Sequence, residues 1–235
     1  INQNTFTCMQ QMRDQHRGLK KFTDVDSLQR KAAEIRLSSL AAMTRAGVGC
    51  MGSCMSVTDI LVALYYGELA GRSVMNFDPA LPGSDEQDYL VLSKGQAAPV
   101  QYAILCDLGI FDPSELNFLG NDSALLSMKQ GAKVPGVTFS NFVPGHGLSV
   151  AVGLAMSLKM DRKRNRVYVV LGDGELQDGQ VWEALMTAAH YRLDNLICII
   201  DNNGVQGDTM VNAVMDLGSL LDKFTAFGWR MIQVH

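Results

Sequence analysis

Apolar residues in this chain follow two rhythms, one spaced for helices and one continuous enough for buried strands. From Asp24 the spacing is helical: Leu28, Ala32, Ile35 and Leu40 share a face, Asp26 or Ser27 can cap the start, and Gly47 and Gly49 end it. A second helix is expected over 57–69, capped by Ser56, with Ile60, Leu61, Leu64 and Tyr65 turned inward. Residues 71–88 are rich in Pro, Gly and Asp and read as a loop. Tyr89-Leu90-Val91-Leu92 reads as a short buried strand, leading through Ser93-Lys94-Gly95 into a helix over 97–108. Residues 1–22 are polar and weakly periodic, an expected N-terminal arm, and 120–147 are largely irregular.

Beyond 147 the alternation sharpens. Helices are expected over 148–160, 180–192 and 216–227, and strands over 166–171, 196–200 and 229–234. The strand at 166–171 is apolar at nearly every position, as expected when helices cover both faces of a parallel sheet. Strands alternating with helices predict an α/β fold: a three-layer parallel sheet with helices on both faces. No repeat, low-complexity tract or linker interrupts it, so residues 1–235 are expected to form one domain. The chain starts at Ile1 and stops at His235 after an expected strand, which reads as the limits of a piece.

Composition narrows the function classes. The chain is 47% hydrophobic and 19% charged, as in ordinary globular proteins, and 235 residues suffice for a substantial core. A net charge of −4 gives no electrostatic case for nucleic acid or an anionic membrane. No apolar run reaches the roughly 18 residues of a membrane-spanning helix, and no signal-peptide pattern opens the chain. A cytoplasmic location is therefore expected. Five cysteines, with Cys198 inside an expected strand, read as reduced thiols, and no Cys/His cluster completes a zinc site around Cys50 and Cys54.

The chemistry concentrates in Gly172-Asp173-Gly174-Glu175-Leu176-Gln177-Asp178-Gly179 and Asp201-Asn202-Asn203-Gly204. Asp173 and Asn203 each follow an expected strand, and their spacing fits one strand–helix–strand unit. Neighbouring strands run about 4.8 Å apart, and ligands of open parallel sheets bind at the strands' carboxyl ends. Asp173 then supplies charge, Asn203 a carbonyl oxygen, and the backbone near Val205 a third oxygen, a set suited to Mg²⁺. Gly172 and Gly174 lack a Cβ where a diphosphate must approach, and the positive end of the following helix faces the same charge.

These residues resemble the thiamine diphosphate motif. With Val181-Trp182-Glu183-Ala184 and Ala188-Ala189-His190, the stretch is similar to the amino-terminal half of the transketolase family. The resemblance extends to Lys31-Ala32-Ala33-Glu34-Ile35-Arg36, Val57-Thr58-Asp59-Ile60-Leu61, Leu92-Ser93-Lys94-Gly95 and Gly147-Leu148-Ser149-Val150-Ala151-Val152-Gly153. It covers roughly 28–234, and its nearest form is the split type whose halves are separate polypeptides. It implies a diphosphate-binding (PP-type) domain, with thiamine diphosphate contacted by Gly172, Asp173, Gly174, Glu175, Asn203, Val205, Gly145 and Pro144. It also implies Mg²⁺, or Ca²⁺ in its place, on Asp173, Asn203 and the Val205 carbonyl. The partner would be a second, pyrimidine-binding subunit corresponding to the carboxyl-terminal half, in an α₂β₂ heterotetramer with active sites at the interface. Asp178 matches a family acidic residue at that interface, shortened from glutamate.

The substrate end departs from the family. Cys50 stands where a sugar-binding histidine is expected, Gln96 takes a second such place after Leu-Ser-Lys-Gly, and Met128 lies where a third aligns. His146 replaces a glutamine in the stretch that faces the cofactor. Imidazole can both donate and accept a proton near neutral pH, whereas Gln96 can only hydrogen-bond, so Gln96 and His146 become the candidate catalytic groups and Cys50, Gln96 and Met128 the candidate substrate pocket. The expected function is transfer of a two-carbon ketol unit from a ketose-type donor to an acceptor, small or carrier-bound, other than the usual sugar phosphate pair. The alternatives are an ordinary sugar-phosphate transketolase subunit and a non-catalytic, cofactor-binding subunit.

Overall fold

A computed structural model describes residues 20–121, 124–127, 134–139 and 143–234. The described residues fall into two compact units, one drawn from Ile1–Asp88 and Gln96–Ser140, the other from Tyr89–Gly95 and Asn141–His235.

The first unit is built on three mutually packed helices, α1 (Val25–Ala46), α2 (Met51–Tyr66) and α3 (Ala98–Asp107). The cap of α1 is Asp24, earlier than Asp26 or Ser27: its carboxylate accepts the Ser27 N–H at 2.7 Å. Gly47 closes the helix with φ +67°, a left-handed conformation that suits a residue without Cβ. Helix α2 starts at Met51, six residues before the expected position. Ser56 lies inside it, its Oγ donating to the Ser53 carbonyl, and Leu69 falls in a short antiparallel hairpin of β1 (Glu68–Leu69) and β2 (Arg72–Ser73). The small, polar residues of Met51–Ser56 hid this first turn and a half, whereas Cys54 and Val57 are fully buried. One polar cluster staples the helices: the Tyr66 hydroxyl donates to Asp107 Oδ2 at 2.5 Å, and Lys31 reaches Asp107 at 3.2 Å and Glu34 at 2.6 Å.

The second unit holds a three-stranded parallel sheet in the order β3 (Tyr89–Leu92), β4 (Val167–Gly172), β5 (Leu196–Asp201). The register pairs Leu92 with Val170 and Gly172 with Asp201, so the strands finish together at their carboxyl ends. Val167 to Leu171 are buried on both faces of β4, in agreement with its continuous apolar run. Helix α4 (Gly147–Met160) lies on the sheet through Leu148, Ala151 and Ala155, and α5 (Gly179–His190) packs against α4. A hairpin of β6 (Val205–Gln206) and β7 (Thr209–Met210) precedes the short α6 (Val211–Val214) and α7 (Leu220–Ala226).

Two expectations change here. Helix α7 begins four residues after 216, because Ser219 caps it by accepting the Asp222 N–H while Gly218 turns left-handed with φ +57°. Residues 229–234 are not a strand: no strand among the described residues pairs with them, and Ile232 and Val234 are 73% and 87% exposed. Trp229 is anchored, its Nε1 donating to the Leu185 carbonyl at 3.0 Å.

Candidate functional site

The site starts from the shared register of β4 and β5. Because Gly172 pairs with Asp201, Asp173 and the Asn202–Gly204 turn leave the sheet side by side. Asp173 is 3% exposed, and its two oxygens bind different loops: Oδ1 accepts from its neighbour Gly174 N at 2.9 Å, Oδ2 from Gly204 N at 2.6 Å. The carboxylate therefore clamps the β5 turn onto the end of β4. Gly204 has φ +74°, the conformation that aims its N–H at Asp173. Asn203 Oδ1 accepts the Val205 N–H at 2.9 Å, a side-chain turn that folds Asn203 back over Val205. Asp173, Asn203 and Val205 are thus brought together, Asn203 and Val205 exposed and Asp173 buried.

The element directly after Asp173 is a five-residue 3-10 turn, Asp173–Gln177, and α5 begins only at Gly179. The expected helix end is therefore not next to Asp173. The turn instead points Glu175 inward, where it is 6% exposed. Its Oε2 accepts from Gly172 N at 3.1 Å and its Oε1 from Gly145 N at 3.3 Å, tying the 143–146 loop to the end of β4. Burial pushes the Glu175 carboxyl above the ordinary carboxylate range, against the pull of hydrogen bonds from Ser93, Gly145 and Gly172 and the Lys94 charge. Gly145 has φ +81°, and a Cβ there would stand 2.4 Å from Asp178 Oδ2, so the Asp178 carboxylate lies directly against this loop. The carbonyl of exposed Pro144 lies 3.2 Å from His146 Nδ1, and exposed His146 precedes α4.

Three groups at this end escaped the sequence reading. Lys94 and Asp201 form a buried ion pair at 2.5 Å, with side chains 3% and 8% exposed, at the ends of β3 and β5. Lys94 Cε is the nearest atom to the missing Cβ of Gly172, at 3.9 Å. Gln206 is the third: a Cβ on Gly174 would fall 2.9 Å from its Cγ and Cδ. Gly174 is therefore glycine here to admit a side chain of β6, and only Gly172 faces more open space. Lys94 sits in the quoted Leu-Ser-Lys-Gly stretch and Asp201 two residues before Asn203, so charge at a strand end was the available signal for the pair. Gln206 had none.

Two of the candidate substrate residues, Cys50 and Gln96, lie in the first unit. Cys50 is exposed at the start of α2, and half-buried Gln96 sits in the 3-10 turn Gly95–Ala97. The Gln96 carbonyl lies 3.8 Å from Cys54 Sγ, one turn into the helix that Cys50 precedes. Met128 lies outside the described residues.

The oxygen set suits a hard divalent ion. One buried carboxylate and a side-chain amide stand at the ends of β4 and β5, and no group of three His, Cys, Asp or Glu gathers among the described residues. A shell with so few protein charges is completed by phosphate oxygens and water, as Mg²⁺ sites usually are. Gln206, next to Val205, keeps a buried acceptor, Oε1, with no hydrogen-bond partner among the described residues. The residues therefore fit a cation-bridged diphosphate.

Comparison with known proteins identifies the family. The family described as transketolase, thiamine diphosphate binding domain, matches residues 27–235. The 6-deoxy-6-sulfo-D-fructose transketolase subunit SqwG of Clostridium sp. (strain MSTE9) is 38% identical over 205 residues, 87% of this chain and 72% of that one. An apulose-4-phosphate transketolase subunit of Phocaeicola vulgatus is 34% identical over 211 residues, 90% of this chain and 73% of its own length. The solved transketolase of Campylobacter jejuni superposes with a TM-score of 0.80 at 26% identity, covering 88% of this chain but only 33% of that one. The chain thus spans about a third of a full-length transketolase. It belongs to the transketolase family, as its thiamine diphosphate-binding domain.

Proposed function

We propose that this chain is the diphosphate-binding subunit of a two-chain, thiamine diphosphate-dependent transketolase-type enzyme. It would move a two-carbon ketol unit from a ketose-type donor to an acceptor, small or carrier-bound, outside the usual sugar phosphate pair. The observation that carries the reading is the Asp173 clamp, which gathers Asp173, Asn203 and Val205 at the strand ends in a chain matched to the family over 27–235. That match supports treating 27–235 as one functional domain; the reading of 1–235 as one domain, with 1–22 as an arm, remains our proposal.

When bound, thiamine diphosphate would supply the nucleophilic carbon for the transfer. The protein's part is to bind and orient. Asp173, Asn203 Oδ1 and the Val205 carbonyl would hold Mg²⁺, or Ca²⁺ in its place, whose charge would offset that of the diphosphate. Gly172, Gly174, Pro144 and Gly145 offer backbone at close range. Glu175 acts through others: its hydrogen bonds to Gly172 N and Gly145 N hold both cofactor-facing loops in register. Asp178, against Gly145, faces the interface with the partner subunit, which contributes the pyrimidine-binding half of an α₂β₂ cytoplasmic enzyme.

The substrate end favours an unusual sugar. Cys50 and Gln96 offer hydrogen bonds or none where imidazoles are expected, and Met128 would add an apolar wall. His146 is the exposed group able to move a proton beside the cofactor loop. That two relatives are named for sulfofructose and apulose-4-phosphate supports a shifted donor. The test mixes the full chain with its partner subunit, thiamine diphosphate and Mg²⁺, and follows ketose donors. Cofactor-dependent donor consumption is expected; retained cofactor binding with no turnover of any ketose or 2-oxoacid would instead support a non-catalytic subunit.

A further inference from the structure

The turn Asp173–Gln177 carries both Asp173 and Glu175, yet 3-10 turns have poor hydrogen-bond geometry and hold themselves weakly. Its first half is pinned by Asp173 to Gly204 N and by Glu175 to Gly172 N and Gly145 N. Its second half is pinned by side chains. Gln177 Nε2 donates to the Met215 carbonyl at 3.1 Å, and Trp182 Nε1 donates to the Leu176 carbonyl at 2.8 Å. Leu176 follows Glu175 directly and is 1% exposed, so the indole of α5 grips the turn at a buried residue. The indole is itself caged. The Phe227 and Phe224 rings stand 5.3 and 5.9 Å from it, and the Lys223 ammonium lies 5.6 Å over its face. Lys223 and Phe224 belong to α7 and Phe227 ends it, while Trp229 fastens the following residues to the Leu185 carbonyl of α5. Ring and cation contacts of this kind orient an indole. A phenyl ring could fill the same cage, but it has no N–H to direct at the turn.

We propose that Trp182 is a positioning residue for the cofactor: its indole N–H, aimed by α7, fixes the turn that carries Asp173 and Glu175. It touches neither ion nor diphosphate and acts through the Leu176 carbonyl. Asp173 and Leu176 share one short turn, so a ligand that draws on Asp173 changes the hydrogen bond that the indole makes. Trp229 donates to α5 instead of the turn and has no such link. The inference rests on the cation–diphosphate reading above.

The chain has two tryptophans, Trp182 and Trp229, which makes the test direct. Fluorotryptophan is incorporated into this chain alone, the chain is assembled with its unlabelled partner, and thiamine diphosphate with Mg²⁺ is titrated under fluorine NMR. Trp229→Phe assigns the two resonances. The Trp182 resonance is expected to move as the site fills, and the Trp229 resonance to stay. In calorimetry, Trp182→Phe should weaken thiamine diphosphate binding about 5-fold, the scale of one hydrogen bond. At saturating cofactor its donor KM should match that of the wild type. A Trp182 resonance that stays still while calorimetry shows binding overturns the proposal and leaves the cofactor site standing. So does an assembled Trp182→Phe that binds thiamine diphosphate as tightly as the wild type, or one that changes only the donor KM. If Trp182→Phe fails to assemble, the fluorine titration of the wild type decides. If the wild type binds no thiamine diphosphate, both this inference and the reading beneath it fall.

Discussion

Glu175 shows how one side chain can hold a site in shape at a cost to stability. Its carboxylate is buried to 6% exposure between Gly172 N and Gly145 N, and that burial raises its pKa. Above the ordinary carboxylate range, the unfolded chain has already released this proton while the folded one still holds it. The native state then binds more protons than the unfolded state, so stability falls as pH rises through the folded-state pKa. Glu175→Gln cannot ionise and should remove that falling limb, checked by chemical denaturation across a pH series with Lys94 and Asp201 unchanged; an unaltered pH slope would refute the assignment. Residue-level legibility followed chain distance. Asp173 and Asn203 each stand at the end of an apolar run, so their pairing could be read from spacing. Lys94 and Asp201 are 107 positions apart, and Gln206 reaches Gly174 only through the β6–β7 hairpin. The first pair left only charge at its strand ends as a signal, and the Gln206 contact left none.

Among the elements, the polar staple of α1, α2 and α3 carries the sharpest expectation. Tyr66 is 3% exposed, and its hydroxyl depends on Asp107, which also receives Lys31. Burial and the adjacent Asp107 charge both push the Tyr66 phenol up, so it stays a donor. Asp107→Ala leaves that hydroxyl buried without its acceptor and should cost about 1–3 kcal/mol in denaturant unfolding. Asp107→Asn, which keeps an acceptor, should cost less; equal losses would contradict the hydrogen-bond account. The strands β3, β4 and β5 were legible because parallel strands buried on both faces are written as unbroken apolar runs. The start of α2 was not, because its first turn carries Gly52 and Ser53 where no apolar spacing announces a helix. Residues 229–234 misled for the opposite reason: their apolar Trp229, Met231, Ile232 and Val234 look like a short strand, but no described strand pairs with them.

At the scale of the whole molecule, the match over 27–235 and the span of about a third of a full-length transketolase describe a thiamine diphosphate-binding domain. We assign to this chain the oxygen set for the cation and the loops for the diphosphate, and the remainder to a partner subunit. Our central claim is that Asp173 anchors a cation-bridged thiamine diphosphate. The direct measurement is calorimetric titration of thiamine diphosphate in Mg²⁺ into the assembled protein, for wild type and Asp173→Ala. The account predicts cation-dependent binding by the wild type, abolished by chelation and by Asp173→Ala, with the variant still folded by circular dichroism. A folded Asp173→Ala that binds thiamine diphosphate as tightly as the wild type would contradict it.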